Sequence, residues 1–179
     1  MIFKDITKCP ETMPDIRRVY KEAFPREERA PLFYLKHKAK ADNFDFFAIY
    51  DGSRYVGLVN MIYHKDIVFI FYLAVAAERR GKGYGGKILK EITAKYPGKR
   101  VILNMERLDE NAPNYEQQLQ RKAFYNSNGF MECGVRSMEN GVRYEMMAYS
   151  GKVPYDEFAE MMKAFLGNVL FALLYKVDV

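Results

Sequence analysis

Residues Val68 to Leu89 read VFIFYLAVAAERRGKGYGGKIL, and the order of residue types in that stretch decides the fold. It opens with an unbroken apolar run, passes through a basic glycine-rich loop and closes as an amphipathic helix. A continuous apolar run bounded by turn residues suits a strand covered on both faces. Backbone N–H groups at the start of a helix have no internal partners and carry the positive end of its dipole. Gly81, Gly83, Gly85 and Gly86 let the main chain approach an anion without a Cβ in the way, and Arg79, Arg80 and Lys82 add full charges beside those amides. The stretch therefore predicts a buried strand, a flexible anion-binding loop and a helix. The expected ligand is phosphorylated.

Three ligand patterns overlap in this loop, and spacing separates them. Gly81, Gly83 and Gly86 satisfy G-x-G-x-x-G, with Glu106 at the end of the next strand, as a dinucleotide fold requires. That fingerprint follows its strand at once, however, whereas Ala76 to Arg80 intervene here. Gly81 to Lys87 begins as a phosphate-binding G-x-x-x-x-G-K loop, but Ile88 stands where a magnesium-binding Ser or Thr is required. The third pattern is Arg80-x-x-Gly83-x-Gly85, directly after a strand ending Leu73-x-Val75. This resembles the acetyl-CoA loop of the GNAT superfamily of N-acetyltransferases, in which such a segment wraps the cofactor pyrophosphate. A tight surface turn in an ordinary βαβ unit is the plain structural alternative.

Working outward, hydrophobic residues make up 49% and charged residues 28% of 179 residues, which suits one soluble domain with a sizeable core. Lys+Arg 28 against Asp+Glu 23 leaves a net charge of +5, favourable for a polyanionic cofactor. The charges form no long basic run, which argues against nucleic acid. Cys9 and Cys133 stand far apart and only His37 and His64 could add imidazoles, so no metal site is expected. The start MIFKDITKCP has no signal-peptide core, and the apolar run Ile67 to Ala77 is too short to span a bilayer. A cytoplasmic protein without membrane contact is expected.

Upstream, Ile2 to Thr7 alternates as a strand, and Pro10 to Phe24 reads as a helix with Ile16, Val19 and Tyr20 on one side. Prolines 25 and 31 break helicity before a second helix over Leu32 to Ala41. Asp45 to Tyr50 and Arg54 to Tyr63 are strands across an Asp51-Gly52 hairpin turn. Downstream of the motif helix, Val101 to Glu106 returns as a strand, forming a parallel pair with the motif strand by a right-handed crossover. Glu116 to Asn128 is a helix stopped by Gly129, with Leu119 and Ala123 as its expected core stripe. Met131 to Met138 and Val142 to Tyr149 are strands across Asn140-Gly141.

This element order is similar to the GNAT fold, an α/β arrangement with a central, mostly antiparallel sheet, one parallel pair at the cofactor loop and flanking helices. Ala123-Phe124-Tyr125-x-x-x-Gly129-Phe130 looks like that family's second cofactor motif. The likeness covers residues 1 to 149 as an acetyltransferase domain. Residues 150 to 179 lie outside it, as a helical extension expected to pack on the domain or on a second copy. There Phe158, Met161, Met162, Phe165, Val169, Leu170 and Leu173 recur at helical steps, in one helix or in two broken at Gly167-Asn168.

The resemblance implies an enzyme that transfers the acetyl group of acetyl-CoA directly to an amine of unknown identity. It implies cofactor contacts at Leu73, Val75, Arg80, Gly81, Lys82, Gly83, Tyr84, Gly85, Gly86, Gln118 and Tyr125, with the pantetheine arm between the strands ending at Val75 and Glu106. An amide near Ala74 to Val75 would face the thioester carbonyl, as an oxyanion-hole donor does. Tyr125 is the implied acid for the departing thiolate, against a packing role in the core. Glu106 is the carboxylate best placed to take the amine proton, directly or through water, against a solvated strand end paired with Lys or Arg. Presenting a lysine-like amine neutral at pH 7 costs about 4 kcal/mol. The sequence departs from the family pattern at Gln118 and Arg121, where that motif commonly has Asn and Ala. A non-catalytic acyl-CoA-binding module is the alternative, and a nucleotide-binding oxidoreductase a distant third.

Overall fold

The computed structural model describes residues 1–139 and 141–177, with side chains up to Tyr175. Asn140, half of the Asn140-Gly141 turn, lies outside the described residues. In chain order the elements are β1 (Ile2–Asp5), α1 (Met13–Ala23), α2 (Leu32–Lys38), β2 (Phe44–Asp51), β3 (Arg54–His64), β4 (Ile67–Val75), α3 (Tyr84–Lys95) and β5 (Arg100–Glu106). There follow α4 (Tyr115–Ser127), β6 (Met131–Glu139), β7 (Val142–Tyr149), α5 (Tyr155–Leu166), α6 (Asn168–Leu174) and β8 (Tyr175–Val177). The sheet is mostly antiparallel, with β4 and β5 as its parallel pair. The chain divides into two compact units, Met1–Tyr63 with Ile70–Ala94, and His64–Phe69 with Lys95 onward. β4 starts in the second unit and finishes in the first.

In the first unit the strands follow the order β1-β2-β3-β4. The β2–β3 hairpin closes at Asp51↔Arg54, and Gly52 takes the φ of 60° that its turn demands. Ile16, Val19 and Tyr20 of α1, spaced to share one helix face, are buried together with Leu35, Phe46 and Leu58. Residues Pro10–Thr12 form a 3-10 turn rather than the first turn of α1. The Thr12 hydroxyl donates to the Cys9 carbonyl at 2.7 Å, so it does not cap the helix. α2 ends at Lys38, before the expected Ala41, in tight turns closed by Lys40 N–H to His37 O and Ala41 N–H to Lys38 O. Gly57 of β3 lies so close to β4 that an added Cβ would overlap the Ala74 carbonyl oxygen. Asn60, also on β3, is fully buried with neither end of its amide hydrogen-bonded.

In the second unit the order is β4-β5-β7-β6-β8. Arg100 N–H donates to Asp66 O at 2.9 Å, at the start of β5. The Arg100 guanidinium grips both Asp66 carboxylate oxygens at 2.7 and 2.8 Å, Glu157 at 2.6 Å and the Lys152 carbonyl at 3.0 Å. One side chain thus ties β5 to the turn before β4 and to the first turn of α5. Phe158, Met161, Met162 and Phe165 of α5 are buried, and the Phe158 ring meets Phe69 and Tyr175 edge-on at 5.4 and 5.9 Å. Gly167, at φ 85°, separates α5 from α6, which buries Phe171 and leaves Val169 and Leu173 more than two-thirds exposed. β8 then adds to the edge of β6, from Glu139↔Tyr175 to Ser137↔Val177. A three-residue strand is too short to leave a period in sequence.

Candidate functional site

The first unit carries the cofactor-loop residues. Along the end of β4, Tyr72 and Ala74 are buried while Leu73 and Val75 are half-buried, the alternation of a strand with two unlike faces. Ala76 N–H donates to Val56 O at 2.8 Å, Ala77–Arg79 make a 3-10 turn, and Arg80 is extended. Gly81 and Gly83 follow at φ 71° and 75°, a region in which a Cβ is strained. An added Cβ at either position meets nothing within 4 Å, so both glycines border open space. Lys87 N–H to Gly83 O, at 3.2 Å, is the first rung of α3. The amides of Tyr84, Gly85 and Gly86 precede that rung and have no intrahelical acceptor.

The cations of the loop turn back onto its own carbonyls. Arg80 Nε donates to Val75 O at 3.1 Å, and Lys82 Nζ to Glu78 O at 2.9 Å. These bonds order the loop, and among the described residues neither charge has a carboxylate partner. Arg79 Nε is buried and has no acceptor among the described residues. The Tyr84 hydroxyl donates to Asp51 Oδ2 at 2.8 Å, and this bond to a carboxylate holds the phenol above its ordinary pKa. Free amides and glycines beside open space are what a pyrophosphate needs. The residues present fit acetyl-CoA.

Tyr72 has a task that the sequence did not disclose. Its hydroxyl donates to Glu28 O at 2.6 Å and accepts from Ala30 N–H at 2.9 Å, while Tyr20 donates to Ala30 O at 3.0 Å. Two buried phenols thereby pin the segment between α1 and α2 against β4. Burial, reinforced by Tyr72, pushes the Tyr20 phenol far above its ordinary value. The only signal in the sequence was a tyrosine inside an apolar strand, where its hydroxyl must find a partner.

The second unit carries Glu106, Gln118 and Tyr125. Glu106 closes β5, and its Oε2 accepts from Asn114 Nδ2 at 3.0 Å, with Arg121 3.8 Å away. Asn114 Oδ1 accepts from Gln118 Nε2 at 3.2 Å, and Gln118 Oε1 accepts from Asp109 N–H at 2.8 Å. Gln118 is 1% exposed, so its amide serves the loop between β5 and α4 and orients Glu106 through Asn114. Asn114, which aims the carboxylate, was missed, although an Asn just ahead of a helix is a recognisable sequence feature.

The buried face of α4 also differs from the expected one. Leu119 and Ala123 are exposed, and the inward residues are Gln118, Lys122 and Tyr125, four and three positions apart. A glutamine and a lysine on the inner face hide it from any count of apolar residues. Tyr125 is half-buried, with its ring 5.3 Å from Phe124 and 6.2 Å from Phe130. Burial pushes its phenol pKa up, partly opposed by Arg121, and its hydroxyl has no hydrogen bond to another described residue. Among the described residues no group of three or more His, Cys, Asp or Glu could hold a metal, and no helix is long and apolar enough to cross a membrane.

Known proteins can now be set beside this geometry. The family model described as "Acetyltransferase (GNAT) domain" matches residues 42–132, from the start of β2 into β6. YjbC of Bacillus subtilis (strain 168), assigned to the acetyltransferases, is 28% identical over 128 residues. That match spans 60% of this chain and 65% of YjbC, less than two-thirds of the relative's length. A Bacteroides thetaiotaomicron protein assigned to the GNAT family superposes with a TM-score of 0.74 at 20% identity, covering 96% of this chain and 98% of that one. An aminoglycoside 6'-N-acetyltransferase solved with coenzyme A superposes with a TM-score of 0.62 at 19% identity, over 86% of this chain and 99% of that one. With the sheet order, the glycine loop at the end of β4 and the family match in agreement, this chain belongs to the GNAT acetyltransferase family.

Proposed function

We propose that the protein transfers the acetyl group of acetyl-CoA directly to an amine. The observation that carries this reading is the loop after β4, where Gly81 and Gly83 at positive φ expose backbone next to the free amides of α3 and to cations without carboxylate partners. Bound acetyl-CoA would supply an acetyl group activated as a thioester. The protein's own part is to bind, to orient and to move two protons. Arg80 and Lys82, fixed by Val75 O and Glu78 O, present charge to the pyrophosphate, and Leu73 and Val75 offer half-buried apolar surface to the arm. Tyr125, which burial keeps as the protonated phenol, is the acid for the departing thiolate. Glu106, oriented by Asn114, takes the proton of the amine directly or through water.

We further propose that residues 1–149 form the catalytic domain and that the tail packs on it, which the burial of Phe158, Met161, Met162 and Phe165 supports. The acceptor class is an amine of a small molecule, peptide or protein, and the place of action is the cytoplasm. The second reading, an acyl-CoA-binding module without turnover, draws on Glu106 being engaged by both Asn114 and Arg121. Calorimetric titration with acetyl-CoA and NAD(H), followed by thiol release over an amine panel, separates the two. Acetyl-CoA binding with amine-dependent thiol release supports the enzyme, and binding without release supports the module.

A further inference from the structure

Tyr84, the first residue of α3, stands at a corner richer in positive charge than the loop motif requires. Its hydroxyl donates to Asp51 Oδ2 at 2.8 Å, and Asp51 faces Arg54 across the closing rung of the β2–β3 hairpin. Strand alternation puts Arg54 on the same face as Asp51 and sends Tyr55 to the opposite face, where it meets Tyr50 at 5.4 Å. The Lys87 ammonium lies 5.6 Å from the centre of the Tyr84 ring. Arg79, one turn before the helix, has a buried Nε without an acceptor. Arg54 and Arg79 are both close enough to draw the Tyr84 phenol down against the pull of Asp51. Among the described residues none of Arg54, Arg79 and Lys87 makes an ion pair, and Glu78, the carboxylate next to Arg79, is paired with Arg18 at 3.2 Å. Asp51 is engaged by Tyr84 and Glu78 by Arg18, so the two carboxylates beside these three cations are both taken.

An exposed cation alone needs no ligand, but these three converge from a hairpin, a 3-10 turn and a helix, and one N–H among them is buried unmet. Coenzyme A carries two separate phosphate groups, a pyrophosphate and a 3′-phosphate monoester. Main-chain amides at glycines suit the pyrophosphate. Guanidinium and ammonium groups suit the monoester, which carries close to two charges near neutral pH. We propose that Arg54, Arg79 and Lys87 around Tyr84 form a second anion subsite that takes the 3′-phosphate, so that the protein distinguishes coenzyme A from 3′-dephospho-coenzyme A. This rests on the acetyl-CoA reading above.

The test is calorimetric titration of the full chain with coenzyme A and with 3′-dephospho-coenzyme A at low and at physiological salt. Wild-type protein should bind the dephospho form about tenfold more weakly at low salt, a few exposed ion pairs' worth, with the gap narrowing as salt screens them. Arg54→Gln and Arg79→Gln should each weaken coenzyme A and leave the dephospho form unchanged. Equal wild-type affinities for the two forms overturn the subsite. So does an equal loss of both ligands in either variant, which would put those arginines on the pyrophosphate. Failure of wild-type protein to bind either form is a different result, and it removes the cofactor reading itself.

Discussion

Tyr125 is half-buried with Phe124 and Phe130 beside its ring, its hydroxyl has no hydrogen bond to another described residue, and burial raises its pKa, so at neutral pH it is a phenol and not a phenolate. Tyr125→Phe keeps the ring contacts and deletes only the hydroxyl proposed as the acid. It should lower kcat on the order of a hundredfold with acetyl-CoA affinity nearly constant. Normal turnover with a lower melting temperature would make this tyrosine a packing residue. Asn60 offers a test of the opposite kind, since both ends of its amide are buried without a partner. Replacing it by leucine removes two unmet polar groups and should raise stability by roughly 1 to 3 kcal/mol in denaturant titration. A loss would mean that the amide is satisfied by water. Individual residues were the least legible part of the sequence. Gln118 matched the motif position for a cofactor amide, yet its amide is held by Asp109 and Asn114, and no spacing rule encodes that loop's need for donors and acceptors.

Elements were read more surely, because a strand or helix repeats its signal over many residues. β4 and β7 fall where the apolar run and the alternation placed them, and the Asp51-Gly52 turn closes its hairpin. α4 was located correctly but rotated wrongly in the reading, since Lys122 and Gln118 occupy its inner face. The loop between β4 and α3 gives the direct test at this scale. Gly83→Val forces a β-branched residue into φ 75° and fills the open space beside the helix start. It should weaken acetyl-CoA binding at least tenfold with the fold intact, and Lys82→Ala should weaken it less. Arg100 tests the clamp between β5 and α5. It holds the Asp66 carboxyl below its ordinary value, so the clamp's contribution is complete above that value and fades as pH falls through the lower, folded one. Acid melting should therefore begin at higher pH in Arg100→Met, in which Asp66 has lost the partner that keeps it ionised. Identical acid titrations of the two proteins would dismiss the clamp.

For the molecule as a whole, the order of elements was legible because strand, loop and helix signals recur in sequence, while the tail's final pairing was not. The stripe from Phe158 to Phe165 announced a buried helix and Gly167-Asn168 a break into a second, but nothing announced that the chain would run on into β8 beside β6. Truncation after Ser150 would expose that stripe's partners and strip β6 of its neighbour, and should lower the melting temperature and solubility. Light scattering on the full chain reads its mass, and a monomer is expected if the tail serves its own domain. Acetyl transfer to an amine is the claim on which the functional reading depends. The measurement that bears on it most directly follows the full chain, acetyl-CoA and a panel of small amines, aminoglycosides, peptide N-termini and lysine peptides, recording thiol release and acetylated amine together. The account predicts at least one amine for which the two appear in equal amounts, and both fall in Tyr125→Phe. Tight binding of acetyl-CoA with no acetylated amine anywhere in the panel would contradict it.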